Sequence, residues 1–176
     1  MNRPGSMERA NFIARFGGVF EHSPWIAERA FDRVPPEEFS SVAGLHGALC
    51  SVFRTASDRE RLAVLRAHPD LAGRLALAGG LTGDSTLEQA SAGLDCLTPD
   101  EFARFTELNG AYQRKFGFPF LLAVKGRSKG EILAAFETRI ENDCETEFAT
   151  ACGEVERIAL LRLQDLVPEP IDEQTP

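Results

Sequence analysis

A histidine fixed directly before a proline, in the stretch Arg66-Ala67-His68-Pro69-Asp70-Leu71-Ala72, is the first feature of this sequence that could do chemistry. Proline disfavours helical geometry in the residue before it, so a helix arriving through Ala67 must end and leave His68 at a break in the backbone. An imidazole at such a break can point into a cleft. Histidine is also the side chain whose unperturbed pKa lies nearest neutrality. Alone, the heptapeptide fits a polar residue that merely ends a helix better than it fits a site.

The second feature is Gly-Asp-Ser-Thr-Leu-Glu-Gln, from Gly83 to Gln89. Ser85-x-x-Glu88 has the spacing of a capping box, with the Ser85 oxygen accepting the Glu88 N–H and the Glu88 carboxylate reaching back to the Ser85 N–H. On that account neither residue needs a function. A helix N-terminus is nevertheless an anion site, and Glu88 beside Gln89 would place an acceptor, two donors and backbone N–H groups together.

A third feature is the apolar run Gly-Phe-Pro-Phe-Leu-Leu-Ala-Val-Lys-Gly, residues 117–126. It is bounded by glycines and too short for a core helix. Buried extended backbone needs partners for its N–H and C=O groups, and a flat polar heterocycle could supply them. Two arginines, Arg139 and Arg162, lie among apolar residues of the C-terminal helical region. Neither is expected to be buried without an anionic partner, which could be a protein carboxylate or a substrate. Glu21, His22 and Trp25 precede or open a helix and fit a first-helix docking motif better than a site.

Helical periodicity runs through nearly the whole chain and supplies the frame for these residues. Residues 11–16 form a short amphipathic turn before Gly17-Gly18. Ser23-Pro24 reads as a cap with proline at the first helical position, and Pro35-Pro36 ends that helix. Phe39, Val42, Leu45, Leu49 and Phe53 recur at helical spacing in residues 37–53. A helix is expected over residues 57–67, a loop at Gly79, Gly80 and Gly83, and another helix from Ser85. Thr98-Pro99 opens a long helix, and Ser128 caps a last region running to about Leu166, bent near Asn142. The expected fold is all-α: a single-domain helical bundle over residues 1–176 with one irregular, extended apolar segment at 117–126. The core spans about 12–166, with frayed ends at 1–6 and 168–176.

Composition narrows the function classes. With 19 Lys and Arg against 27 Asp and Glu, the formal net charge of −8 disfavours nucleic acid and anionic membranes as partners. The three histidines, His22, His46 and His68, show no ligand spacing with cysteine or carboxylates, which argues against a metal site. No run has the length of a membrane span, and the first residues do not resemble a signal peptide. Cys50, Cys96, Cys144 and Cys152 form no C-x-x-C pair and read as buried free thiols in a reducing compartment.

Together the stretches FGGVFEHSPWIAERAF, HPDLA, STLEQASAGLD, LNGAYQRKFGFPFLLAVKG and IALLRL resemble the 2-oxo-4-hydroxy-4-carboxy-5-ureidoimidazoline (OHCU) decarboxylases of urate degradation. The resemblance extends from about Phe12 to Leu166, and the order and spacing of the motifs are highly specific. It implies an all-α, cofactor-free, homodimeric enzyme that decarboxylates its small-molecule substrate to (S)-allantoin. It places the catalytic histidine on His68, and Glu88, within a matched substrate-contact stretch, is expected to act with it as a second catalytic group on the substrate hydroxyl and carboxylate. Substrate contacts fall on Pro69, on Ser85, Thr86, Leu87 and Gln89, and on Phe120, Leu121, Leu122, Ala123 and Val124. An arginine that grips the substrate maps onto Arg162, with Arg139 as a second candidate. The chain ends Gln-Thr-Pro rather than in the peroxisomal tripeptide of eukaryotic relatives, which points to a bacterial cytoplasm. Two rivals stand beside this expectation: a helical module that binds a small anion or partner helix, and a related lyase for another ureido or purine-derived acid.

Overall fold

Threonine, serine and proline at helix starts and glycine at helix ends mark out eight α-helices among the described residues. They are α1 (Arg9–Phe16), α2 (Trp25–Arg33), α3 (Val42–Thr55), α4 (Asp58–Ala67), α5 (Gly83–Ser91), α6 (Pro99–Phe116), α7 (Lys129–Arg139) and α8 (Cys144–Leu166). The computed structural model describes residues 4–72 and 82–167. Among them there are two 3₁₀ turns, Pro4–Ser6 and Pro36–Ser40, and no strand, so the fold is all-α. No described helix is long and apolar enough to cross a membrane. The expected loop at Gly79 and Gly80 and the C-terminal end at 168–176 lie outside the described residues. Of the N-terminal end, Pro4–Ser6 is ordered as a 3₁₀ turn with Pro4 buried.

The chain divides into two compact units, one of Met1–Asp58 with Glu156–Pro176 and one of Arg59–Val155. In the first, Phe12 packs against Phe16, Phe31 and Phe39 with ring centroids 4.9, 5.1 and 5.0 Å away. The five apolar residues expected on one helical face, Phe39 to Phe53, are all buried. Phe39 sits on the 3₁₀ turn instead of in α3, because Ser41 caps the helix by accepting the Gly44 N–H. Gly44 must be glycine, since a Cβ there would lie 2.1 Å from the Glu38 oxygen. Ser23 does not cap α2 either. Its hydroxyl donates to the Glu21 carbonyl at 2.9 Å, and the helix starts one residue later than expected, at Trp25.

In the second unit Tyr112 is the hub of an aromatic cluster, with Phe116, Phe120 and Phe136 at 4.5, 5.3 and 5.6 Å. Phe120 and Phe136 stack at 3.9 Å. Helix α6 begins with a complete capping box, Thr98 and Glu101, and ends at Gly117, whose φ of 76° is the left-handed conformation a C-cap glycine adopts. A second box, Ser128 and Glu131, opens α7. The expected bend near Asn142 is a full break: α7 ends at Arg139, and Asp143 receives the Thr146 N–H at 2.7 Å to start α8. Cys50 and Cys152 are buried free thiols, whereas Cys96 and Cys144 are exposed. Cys96 lies in the polar turn before Thr98 and has no core to enter.

Candidate active site

Helix α4 stops at Ala67, where the coming proline takes the backbone out of helical geometry. The His68 N–H closes one last turn on the Leu65 carbonyl at 3.3 Å. The side chain is only 6% exposed, and Nδ1 lies 2.9 Å from the Val64 carbonyl oxygen. A carbonyl only accepts, so Nδ1 carries the proton and, in the neutral ring, Nε2 carries the lone pair. The break at His68 that the sequence implied is therefore present, with a fixed tautomer.

Past Pro69 the chain turns through Asp70, Leu71 and Ala72, the last with a φ of 51°, a left-handed conformation uncommon for a residue with a Cβ. Three side-chain amides hold this turn. Gln89 Oε1 accepts the Ala72 N–H at 2.9 Å while its Nε2 donates to the Asp70 carbonyl at 3.3 Å. Asn109 Nδ2 donates to the Leu71 carbonyl at 2.8 Å. Gln113 Nε2 donates to Asp70 Oδ1 at 2.7 Å. Burial pushes the Asp70 carboxyl above its usual range, partly offset by the Gln113 bond.

Helix α5 faces the turn with Ser85 and Gln89, one turn apart and both buried. The capping box expected at Ser85 and Glu88 is not formed. Thr82 lies three residues earlier, accepts the Ser85 N–H at 3.3 Å and starts the helix at Gly83. Ser85 is thus the third helical residue, and Glu88 is half-buried one turn further on. Thr86 is exposed and Leu87 is 72% exposed, on the outer face. Structure brings Gln89 to the His68 turn, and it leaves Thr86 and Leu87 directed away from the buried face.

The 117–126 segment is irregular, and residues 118–124 are buried throughout. Its start is tied to the end of α4, because Arg66 Nε donates to the Gly117 carbonyl at 2.8 Å. Its backbone is partly committed to protein side chains: Ala123 donates its N–H to Glu154 Oε2 at 2.8 Å and accepts from Arg127 Nε at 3.1 Å. Arg139 Nη1 donates to the Leu121 carbonyl at 2.6 Å, and the guanidinium lies 4.6 Å from the Phe120 ring centroid. The same guanidinium donates from Nε to Glu147 Oε1 at 2.9 Å. Glu147 is fully buried and also accepts from the Tyr112 hydroxyl and from Asn142 Nδ2. Burial and the neighbouring Glu147 raise the Tyr112 hydroxyl far above its usual range, so it remains a donor. The anionic partner of Arg139 is thus a protein carboxylate.

Arg162 belongs to the first unit. There its Nη1 donates to Glu21 Oε2 at 2.6 Å, with side chains 4% and 2% exposed. Glu21, read from the sequence as part of a docking motif, is its counter-ion. The sequence reading passed over Asn109, Gln113, Glu147 and Glu154. The one available signal was Asn109 itself, a polar residue in line with the buried Phe105, Leu108 and Tyr112.

A sequence model of the family described as OHCU decarboxylase matches residues 5–164. The chain belongs to the OHCU decarboxylase family. Among similar proteins is the 2-oxo-4-hydroxy-4-carboxy-5-ureidoimidazoline decarboxylase of Halalkalicoccus jeotgali, 45% identical over 159 residues that cover 90% of this chain and 86% of that protein. The mouse protein of the same description is 35% identical over 95% of this chain and 92% of its own. A crystal structure of (S)-allantoin synthase superposes with a TM-score of 0.74 at 31% identity, covering 93% of this chain and 52% of that one. The crystal structure of an OHCU decarboxylase in the presence of (S)-allantoin, at 20% identity and a TM-score of 0.66, shares the fold. The matched residues include parts of both units of this family member.

Proposed function

We propose that this protein decarboxylates 2-oxo-4-hydroxy-4-carboxy-5-ureidoimidazoline to allantoin in urate degradation, acting as a carboxy-lyase. Membership of the OHCU decarboxylase family along residues 5–164 carries the reaction. The break after α4 supports the placement of its base, because His68 there is buried with Nδ1 tied to the Val64 carbonyl.

When carbon dioxide leaves, the electrons of the broken bond move into the adjacent ring C=N, whose nitrogen takes up a proton. The hydroxyl-bearing carbon becomes a carbonyl as its proton departs, and the neighbouring ring carbon takes up a proton. His68 and Glu88 handle these protons, His68 through Nε2, and delivery to one face yields the (S) product. Preorganised donors at the site stabilise the charge that develops. Pro69, Ser85 and Gln89 bound the substrate, and Thr86 and Leu87 act through backbone groups of α5. Leu121 and Ala123 use backbone groups to hold the 120–124 segment, and Phe120, Leu122 and Val124 turn theirs to the ring and ureido edges. On the strength of the sequence resemblance alone, Arg162 is the cation for the substrate carboxylate, in preference to Arg139. The working form is a cytoplasmic homodimer, binding neither nucleic acid nor membrane.

The test generates the unstable substrate in place from urate with urate oxidase and hydroxyisourate hydrolase. Circular dichroism should show rapid formation of optically active (S)-allantoin when the protein is added. A slow racemic background that the protein leaves unchanged would refute the proposal.

A further inference from the structure

Asn109, in the middle of α6, is 6% exposed, and its Nδ2 donates to the carbonyl of Leu71, three residues beyond His68. That bond decides which end of the amide is which, since a carbonyl can meet only the donating end. The other end, Oδ1, is buried and accepts no hydrogen bond. A buried acceptor left unmatched costs stability, and an apolar residue at this position of α6 would avoid the cost. Such local costs concentrate where the fold serves a site.

What the bond serves is the turn itself. Ala72 is held in a left-handed conformation that a residue with a Cβ adopts reluctantly, and such geometry persists only where the surroundings over-determine it. Gln89 fixes the backbone at Asp70 and Ala72 from α5. Asn109 fixes Leu71, between them, from α6. The turn therefore cannot move as a body with either helix alone. His68 stands immediately before it, with its ring held on one side by the Val64 carbonyl of α4 and its chain held on the other by Asn109 at Leu71, so the aim of the imidazole depends on both anchors.

We infer that Asn109 is a positioning residue: by holding Leu71 it fixes the His68-Pro69 backbone and so the aim of the imidazole. The inference rests on the decarboxylase reading above. It predicts a loss in the chemical step with little change in substrate binding, because small misplacements of a reacting group cost rate steeply. The uncatalysed, racemic route should then compete in the product.

The experiment compares wild type, Asn109→Ala and the near-isosteric Asn109→Asp, which replaces the donating amide by a carboxyl group without emptying the site. With substrate generated in place, kcat should fall about 10- to 100-fold in the variants that fold. KM should stay within about threefold, and the enantiomeric excess of allantoin should drop. A folded variant with wild-type kcat and wild-type enantiomeric excess overturns the inference. A rise in KM with kcat unchanged also overturns it, since that would make Asn109 a substrate contact. Should neither variant fold, amide exchange in the wild type decides: an Ala72 N–H exchanging as fast as the exposed turns would show that the loop is not held. A wild-type protein without activity would overturn the decarboxylase reading, and this inference with it. An active wild type with unaffected variants removes only the role of Asn109.

Discussion

Arg139 donates from Nη1 to the carbonyl of Leu121 at 2.6 Å, and through that bond a buried ion pair is joined to the irregular segment of the candidate site. The ion pair partner, Glu147, is fully buried and shared with Tyr112 and Asn142. Nothing in a helical repeat demands charge at this depth. Irregular backbone has unmet carbonyls, and a guanidinium with several donors can satisfy one while remaining neutralised.

Removing that cation should therefore be costly. Arg139→Ala leaves Glu147 buried without its counter-charge and Leu121 without its donor, and a loss of about 3–5 kcal/mol is expected. Urea unfolding monitored by circular dichroism measures it. The exposed pair of Arg9 and Asp32, 49% and 50% exposed, provides the comparison, and Arg9→Ala should leave the midpoint almost unmoved.

Glu88 was expected to divide itself between a helix cap and the substrate. With Thr82 as the cap of α5, the two duties separate. Glu88→Gln should keep the thermal midpoint of the wild type within a degree or two while lowering kcat by about 10²–10⁴-fold, the usual worth of a positioned acid or base. Thr82→Ala should do the reverse, costing about 1 kcal/mol of stability. Steady-state rates and thermal melts on the two variants check both halves.

Much of this arrangement was legible in the sequence. The break before Pro69, the cap and proline that open α6 at Thr98-Pro99, and the five apolar residues from Phe39 to Phe53 follow from local rules that tertiary packing has no reason to override. Cap assignment at Ser85 failed because Thr82 is also a good cap and lies one helical turn closer to the start. Ser23 failed for a similar reason, since its hydroxyl found the Glu21 carbonyl. The amide clamp of Gln89, Asn109 and Gln113 could not be read, because its bonds span 17 to 43 residues and depend on how three elements meet. The same holds for Glu154 on Ala123, 31 residues away, whereas Glu147 lies 8 residues from Arg139 and meets it only because the chain breaks between α7 and α8.

Asp70 gives the turn a pH dependence whose sign is fixed by burial. Its carboxyl holds a proton to higher pH in the folded protein than in the unfolded chain. The folded state is thus favoured while the group is protonated, and that contribution is lost as pH rises through the raised folded value. Asp70→Asn keeps the acceptor for Gln113 and removes the charge. Its stability relative to wild type should increase from about pH 4 upward and level off once the wild-type carboxyl is fully ionised. Urea midpoints of both proteins across this range give the curve, and a difference independent of pH would exclude the carboxyl as its cause.

His68 bears the central claim most directly. Its Nδ1 is committed to the Val64 carbonyl, and the proposed mechanism gives the substrate proton to Nε2. The decisive measurement is the rate of (S)-allantoin formation by circular dichroism with wild type and His68→Ala, substrate being generated in place. The variant should fold as the wild type does and lose at least about 10²-fold in turnover. A folded His68→Ala protein that makes (S)-allantoin at close to the wild-type rate would contradict the assignment.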